Sequence, residues 1–548
     1  MFLVFLVLGI AIRGVVTLAY RPALIFPDSL GYLKRAVPFE VFNTRPSGYS
    51  LFLWPFVEVT QNIGPIAAVQ HLIGLALATF CYIFLLRRGL PGWGAALAVL
   101  PLLLDPLQLV LEHYVLSDVL FEMLLLGACL LILWRRRPGV PALLVAGVFV
   151  GCSGFVRGAG TFVLVVFVVA LVCLRVHWVK VVAFVVAAVI PLAAYAVDYH
   201  QTYGQYAIST AGPRFLYARL APIVHCDNPQ LKLPSYERML CPSKPVGQRR
   251  STDWYMWGQH QGPAYHVHGP KGTTRLQVLK DFDKRVVRAE PVTYATAALT
   301  DLARGFSPTR TVQVPGYPAS YWLFANHYWT PDTFIKRGVM HPAIRKRFGA
   351  GYGPRTAQFM TDYRKVVYVP GPLMAVLLLV AIGAIFGLGR ARRSGDRVAV
   401  GLLTATCLIT LLTSAALSGF SWRYQLPQVA MIPVAGALGL SALIRGRTTQ
   451  EQLAPPLRLL DRVAKTGGIQ VVVAVVAGVL LGGLSGVVAL ASGWDSVQTA
   501  LLGGAAAAVL VAATLLVAHK RSAGDVPDAA AEDDREVSGH PDEVSARD

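Results

Sequence analysis

The sequence predicts an all-α polytopic membrane protein of about twelve spanning helices with one large water-exposed insert. Three observations carry that expectation. Of the 548 residues, 55% are hydrophobic and only 15% charged, where a soluble domain carries roughly 25% charged residues. Apolar runs of about 18 to 24 residues recur along the chain, each enough to cross a hydrocarbon core of roughly 30 Å at about 1.5 Å per residue. Basic residues gather in short clusters between these runs, as in cytoplasmic loops. Lipid offers no partner to an unpaired backbone amide, so the runs must be helical. The alternating strands of about ten residues that a membrane β-barrel needs do not occur.

The first run, 1–20, lacks a basic leader region and a small-residue cleavage site, so it reads as a retained span, interrupted by Arg13. A polar stretch, 21–62, follows. Runs at 63–86, 92–111, 115–134, 141–156, 160–175 and 179–198 complete an N-terminal transmembrane module, 1–198. The polar segment 199–365 is then an insert after the seventh span. Runs at 366–388, 398–418 and 425–444 close the core, 366–444. A loop and two further runs, 469–491 and 497–518, make up 445–522. The tail 523–548 is acidic and without apolar periodicity, which predicts disorder.

With simple alternation of the spans, Arg87-Arg88, Arg135 to Arg137, Arg175 with Lys180, the Arg390 to Arg397 cluster, Arg445 with Arg447, and Lys520-Arg521 all fall on one side. The positive-inside rule makes that side cytoplasmic in a plasma (inner) membrane. The 21–62 loop, the insert and the turn before Arg423 are then extracytoplasmic. The loop clusters account for much of the net charge of +20, so nucleic acid is not the expected partner; the bilayer is. Of seven cysteines, five lie in or near predicted spans and read as small core residues. Cys226 and Cys241 lie in the polar insert, where an oxidising compartment would permit a disulfide. No CxxC or histidine-rich spacing points to a metal, and a divalent metal cofactor has no support in the sequence. The insert's aromatic clusters, Trp254 to Trp257 and Tyr321-Trp322, suit membrane-interface anchors, core packing or a sugar-stacking surface.

Charges at membrane depth are costly, so those gathered near span ends on one side are candidates for function. The predicted outer side collects Asp28 after the first span, Arg45 and Tyr49 before the second, Glu112 and His113 at the next outer turn, Asp118 opening the fourth span, Arg157 before the sixth, and Arg423-Tyr424 opening the tenth. A carboxylate can serve as base toward a hydroxyl, and arginines can grip a phosphate and stabilise it as it leaves. Plainer roles stand beside these. Asp28 and Asp118 also suit helix caps. Arg45, Arg157 and Arg423 suit snorkelling to headgroups. Glu112 and His113 suit interfacial polar positions, His71 and Asp105 the bundle interior, and Arg13 a helix–helix hydrogen bond.

Taken in order, these elements resemble the polyprenyl-phosphate-sugar-dependent glycosyltransferases of the GT-C superfamily, which includes protein O-mannosyltransferases and the lipid A aminoarabinose transferase. The resemblance rests on Asp28 after the first span, Arg45-Pro-x-Gly-Tyr49 before the second, Ser117-acid-x-Leu-Phe121 at the fourth, Arg157-Gly158 after the fifth, and Arg423-Tyr-x-Leu-Pro427 at a late span. A large extracytoplasmic segment after the seventh span also matches. It implies a GT-C-like fold and transfer from a polyprenyl-phosphate-linked sugar donor to an extracytoplasmic glycan, lipid or protein, with inversion at the anomeric carbon. Asp28 would be the catalytic base, with Arg45, Tyr49, Glu112, His113, Asp118, Arg157, Arg423 and Tyr424 lining the substrate site. Two departures matter: Ser29 stands where many relatives carry a second acid, and Asp118 where many carry Glu. A transporter or flippase of a lipid-linked sugar, or a non-catalytic envelope scaffold, is the alternative. Transport calls for charges near the midplane and paired broken helices, whereas the sequence places most charges at the outer interface and shows no such helix pair.

Overall fold

The apolar runs fold as helices in the computed structural model, which describes residues 1–60, 62–258, 262–311, 318–326 and 351–445. The predicted spans 469–491 and 497–518, the loop before them and the acidic tail lie outside the described residues. Helix α1 (Phe2–Ala19) leads into a polar loop that carries α2 (Pro27–Lys34) and α3 (Gly48–Pro55). Then come α4 (Gly64–Arg87), α5 (Gly92–Leu104), α6 (Pro106–His113), α7 (Asp118–Leu133), α8 (Val140–Val156), α9 (Val163–Cys173) and α10 (Trp178–Tyr203). The insert contributes α11 (Gly212–Leu220), α12 (Thr252–Trp257), α13 (Pro263–His266), α14 (Arg275–Ala289) and α15 (Pro291–Arg304). The bundle closes with α16 (Pro354–Val366), α17 (Gly371–Ile385), α18 (Arg397–Leu417) and α19 (Leu426–Arg445). Two short strands, β1 (Tyr20–Arg21) and β2 (Gly351–Tyr352), pair antiparallel with Tyr20 opposite Tyr352.

Among the described residues, five helical segments are long and apolar enough to cross a membrane: α1, α4, α10, α18, and α19 with the turn before it. Two bent pairs, α5 with α6 at 44° and α16 with α17 at 51°, bring the total to seven. The chain is therefore a helical membrane protein, with fewer full-length spans here than the sequence suggests. The predicted fourth and fifth spans are helices of 16 and 17 residues. The sixth begins as a 3-10 turn, Gly158–Phe162, before α9. The insert starts later than predicted, because α10 runs on to Tyr203.

Both bends converge on Asp105. It caps α6 by accepting from Leu107 N at 2.9 Å, and Pro106, lacking an N–H, takes the first helical position. Asp105 also accepts from Val369 N at 3.1 Å, beside the second bend, and pairs with Arg310 at 2.8 Å. One carboxylate thus ties two broken helices to the insert.

Within lipid, helices gain little from hydrophobic burial against one another and rely on close packing. The most intimate pair is α8 with α10, and small residues are the reason. A Cβ on Gly147 would lie 2.4 Å from the Phe184 carbonyl oxygen, and one on Gly151 would lie 2.1 Å from that of Ala188. The spacing Gly147-x-x-x-Gly151 puts both on one face.

The insert has its own apolar core around Tyr217, Tyr255, Leu279 and Phe282. Cys226 and Cys241 form a disulfide across it, their Cα atoms 6.0 Å apart. It docks on the bundle through Arg219 of α11, which donates to the Ala415 carbonyl at 3.0 Å and is held by Asp301 of α15, within the insert, at 2.9 Å.

Candidate functional site

One end of the bundle gathers the turns after α1, before α3, before α7, after α8 and before α19. Helix α2 begins with Pro27 at its first position, and the Ser29 hydroxyl accepts from Phe26 N at 3.0 Å. Ser29, which replaces an acid in the resemblance, is thus a capping residue. Asp28 lies in the first turn, where the helix dipole favours a carboxylate.

Asp28 is gripped on both oxygens. Arg45 Nη1 donates to Oδ1 at 2.7 Å and Arg423 Nη1 to Oδ2 at 2.7 Å. Arg423 Nε donates to Asp118 Oδ2, also at 2.7 Å. Arg157 Nη1 completes the line at Asp118 Oδ1, 2.5 Å away. The result is an alternating row: Arg45, Asp28, Arg423, Asp118, Arg157. Three guanidiniums face two carboxylates, an excess of one positive charge. Burial would lift the Asp28 carboxyl, but Arg45 and Arg423 outweigh it and hold the group well below the usual carboxylate range.

Exposure grades along the row. Side chains of Asp28, Arg45 and Arg157 are 22%, 17% and 18% exposed, whereas Arg423 is 7% and Asp118 fully enclosed. A ligand entering here meets the first three; the other two brace them. Aromatic rings flank each guanidinium: Tyr32 at 5.6 Å and Trp257 at 5.4 Å from Arg45, Trp322 at 5.6 Å from Arg423, and Phe121 and Tyr424 at 5.4 and 5.1 Å from Arg157. Gly48 lets the segment carrying Arg45 press against α8, since a Cβ there would sit 2.7 Å from the Phe155 carbonyl oxygen.

Of the residues singled out by sequence, Asp28, Arg45, Asp118, Arg157, Arg423 and Tyr424 meet in this cluster. Tyr49 lies just behind it. Its ring packs edge-on against Tyr32, centroids 5.0 Å apart, and its hydroxyl donates to Gln70 at 2.8 Å, away from the row.

Glu112 and His113 do not join. Their turn is fully buried, not an exposed outer loop. Arg13 Nη2 and Nε bind Glu112 at 2.7 and 2.8 Å, and His71 Nδ1 lies 2.7 Å from Glu112 Oε2. His71 Nε2 lies 3.1 Å from His113 Nδ1, and His113 Nε2 reaches the Tyr20 carbonyl at 2.7 Å. Main-chain bonds from Leu24 N to the His113 carbonyl, 2.9 Å, and from Val115 N to the Leu24 carbonyl, 3.0 Å, clip the Asp28 loop to the same turn. The pair expected to touch substrate therefore anchors the loop that carries Asp28. Gly74 on α4 makes room for it, as a Cβ there would lie 1.8 Å from Glu112 Oε1.

Sequence reasoning did not assign Tyr32, Trp257 or Trp322 to the site. Tyr32 had a signal: it stands four residues after Asp28, on the same face of α2. The two tryptophans come from the insert and had none beyond being aromatic. Among the described residues, no group of three or more His, Cys, Asp or Glu is placed to hold a metal ion.

No family model and no curated protein matches the chain. Among solved structures it is similar to the apo crystal structure of ArnT from Cupriavidus metallidurans, with 14% identity over 80% of this chain and 78% of that one and a TM-score of 0.28. What the fold and the cluster define is a helical membrane protein with an arginine–aspartate row at one end of its bundle.

Proposed function

We propose that the chain is a membrane glycosyltransferase that moves a sugar from a polyprenyl-phosphate donor to a hydroxyl acceptor outside the cytoplasm. The observation that carries the reading is the row itself: three arginines and two aspartates from five separate chain segments, meeting at one bundle end. Its excess positive charge suits a phosphate, and its accessible members suit a ligand at the lipid–water boundary.

In the reaction, the acceptor oxygen bonds to the anomeric carbon as the bond from that carbon to the phosphate oxygen breaks. The lipid phosphate leaves with the electron pair, and Asp28 takes the hydroxyl proton. A single displacement inverts the centre. Arg45 and Arg157 meet the phosphate, with Arg423 behind, and stabilise the charge that grows on it. Asp28 held by two guanidiniums is a weak base. Binding an anionic donor draws Arg45 toward the phosphate, loosens that hold and strengthens Asp28 at the moment it is needed.

The test is transfer from decaprenyl-phosphate mannose and arabinose by the purified protein, comparing wild type with Asp28→Ala and Asp28→Asn. Loss in both is expected, and full activity in both removes the proposed base. Reporter fusions in the 21–62 loop test the side; a cytosolic result ends the extracytoplasmic assignment. Carriage of a lipid-linked sugar is the second reading, favoured by one observation: Arg13 and Glu112 form an ion pair within the bundle, with His71 against the same carboxylate. Sugar transfer in detergent, where there is nothing to transport across, separates the two.

A further inference from the structure

The opposite end of the bundle holds a second cationic site. Helix α7 runs from Asp118 in the row to Leu133, so the two ends stand about 24 Å apart at 1.5 Å per residue. Beyond Leu133 a cavity of about 770 Å³ opens between the ends of α4, α7 and α9 and the turn before α18. Arg87, Arg88, Arg135, Arg136 and Arg393 line it against one carboxylate, Asp396, a net charge of +4. The volume is that of a small-molecule pocket.

These arginines are not alike. Arg88 is structural: it pairs with Asp396 at 2.7 Å and caps the end of α7 by donating to the Leu133 carbonyl. Nearby arginines outside the cavity also cap helix ends. Arg397 donates to the Ile385 carbonyl at 2.8 Å and Arg445 to that of Gly89 at 2.9 Å. Arg135, Arg136 and Arg393 cap no helix end among the described residues. Among the described residues, no hydrogen bond or ion pair engages them, yet two separate loops aim them at one cavity. Like charges held together repel, and a multivalent anion relieves that cost. Ile132, Leu133 and Leu174 supply an apolar wall beside the charges.

We infer that this cavity binds a phosphate-bearing ligand through Arg135, Arg136 and Arg393, at a site separate from the Asp28 row. The shared chemistry is a phosphate group, and it comes either from a lipid headgroup reached along the apolar wall or from a soluble phosphate compound. The inference does not depend on the proposed transfer reaction.

The test uses the full-length protein with two probes. Inorganic pyrophosphate is titrated calorimetrically in detergent. Retention of phosphatidic acid from phosphatidylcholine vesicles containing it is followed by native mass spectrometry. The double variant Arg135→Gln/Arg136→Gln and the single variant Arg393→Gln are expected to weaken binding about tenfold or more. Arg137→Gln and Arg392→Gln, exposed neighbours that do not line the cavity, are expected to leave it within about twofold. Arg135→Lys/Arg136→Lys is expected to restore part of the affinity, since a point charge replaces the fork; a variant that merely misfolded would fail with both probes and show an altered melt. Binding of pyrophosphate assigns a soluble ligand, and binding of phosphatidic acid alone assigns a headgroup. No binding of either probe, or equal loss in the Arg137 and Arg392 variants, overturns the inference.

Discussion

Arg423 is the hinge of the row because its guanidinium divides between two carboxylates, Nη1 to Asp28 and Nε to Asp118. Removing it takes one of two arginines from both carboxylates at once, leaving Asp118 only Arg157 and Asp28 only Arg45, a loss bounded by about 3–5 kcal/mol, the cost of a buried pair broken on one side. Arg423→Ala should therefore lower the thermal midpoint more than Arg45→Ala, which weakens the hold on one carboxylate instead of two. Arg423→Lys should recover little, because an ammonium cannot span both acids. Differential scanning fluorimetry in detergent reads all three, and a fully stable Arg423→Ala would mean that the row contributes nothing to the fold. Asp28 makes a separate prediction. The fold favours its ionised form, so its contribution to stability is complete above the ordinary carboxylate value of 3.8 and is lost as pH falls below it. The stability gap between wild type and Asp28→Asn should stay flat from about pH 8 to pH 5 and close only in stronger acid. A gap that shrinks near neutrality would contradict the double arginine grip.

Helix α8 links packing to chemistry, because Arg157 follows directly from its C-terminal end. Its approach to α10 depends on Gly147 and Gly151. Gly151→Val must push the helices apart, since even a methyl group would overlap the Ala188 carbonyl oxygen. Expected are a lower melting temperature and a fall in sugar transfer beyond what instability explains, as Arg157 shifts from Asp118; an unchanged melt would refute the close approach. Helix α14 offers the reverse case. Asp283 lies in the insert core with neither carboxylate oxygen hydrogen-bonded. Burial pushes its pKa well above the usual range. The neutral form suits the fold, so stability falls as pH rises from about 3.8 through the raised value. Asp283→Asn should stabilise the protein at pH 8, by about 1 kcal/mol or more, with the advantage vanishing near pH 4. Melts at both pH values decide it.

At the scale of the molecule, the insert is part of the site. Trp257 of α12 and Trp322 beyond α15 cover Arg45 and Arg423, and Arg219 and Tyr294 fasten the insert to α18, Tyr294 donating to the Ala416 carbonyl at 3.1 Å. Trp257→Ala should therefore weaken donor binding with little change in the melt, raising the KM for the lipid donor several-fold on the loss of about 1 kcal/mol of cation–π contact. An unaltered KM would confine the insert to a structural role. The two bundle ends also differ in kind. The Asp28 end pairs each of its three arginines with one of two carboxylates and keeps a single positive charge in excess, while the Arg135 end leaves several arginines unpaired among the described residues.

By itself the sequence determined that the chain is helical and membrane-bound, where most helices fall, and which acids and arginines stand at helix ends. Those are properties of local composition: hydropathy sums over neighbours along the chain, and a capping serine or proline acts within one turn. Only the tertiary structure decided which of those charges meet. Asp28 and Arg423 are 395 residues apart, and Asp118 and Arg423 are 305 apart. No local pattern distinguishes them from Glu112 and His113, which packing turns inward to Arg13 and His71. Nor could hydropathy foresee the bends at Asp105 or the tryptophans that the insert lays over the row. Apolarity tells a segment that it must be buried in something; the partner it finds is set by shape and charge complementarity across the whole fold.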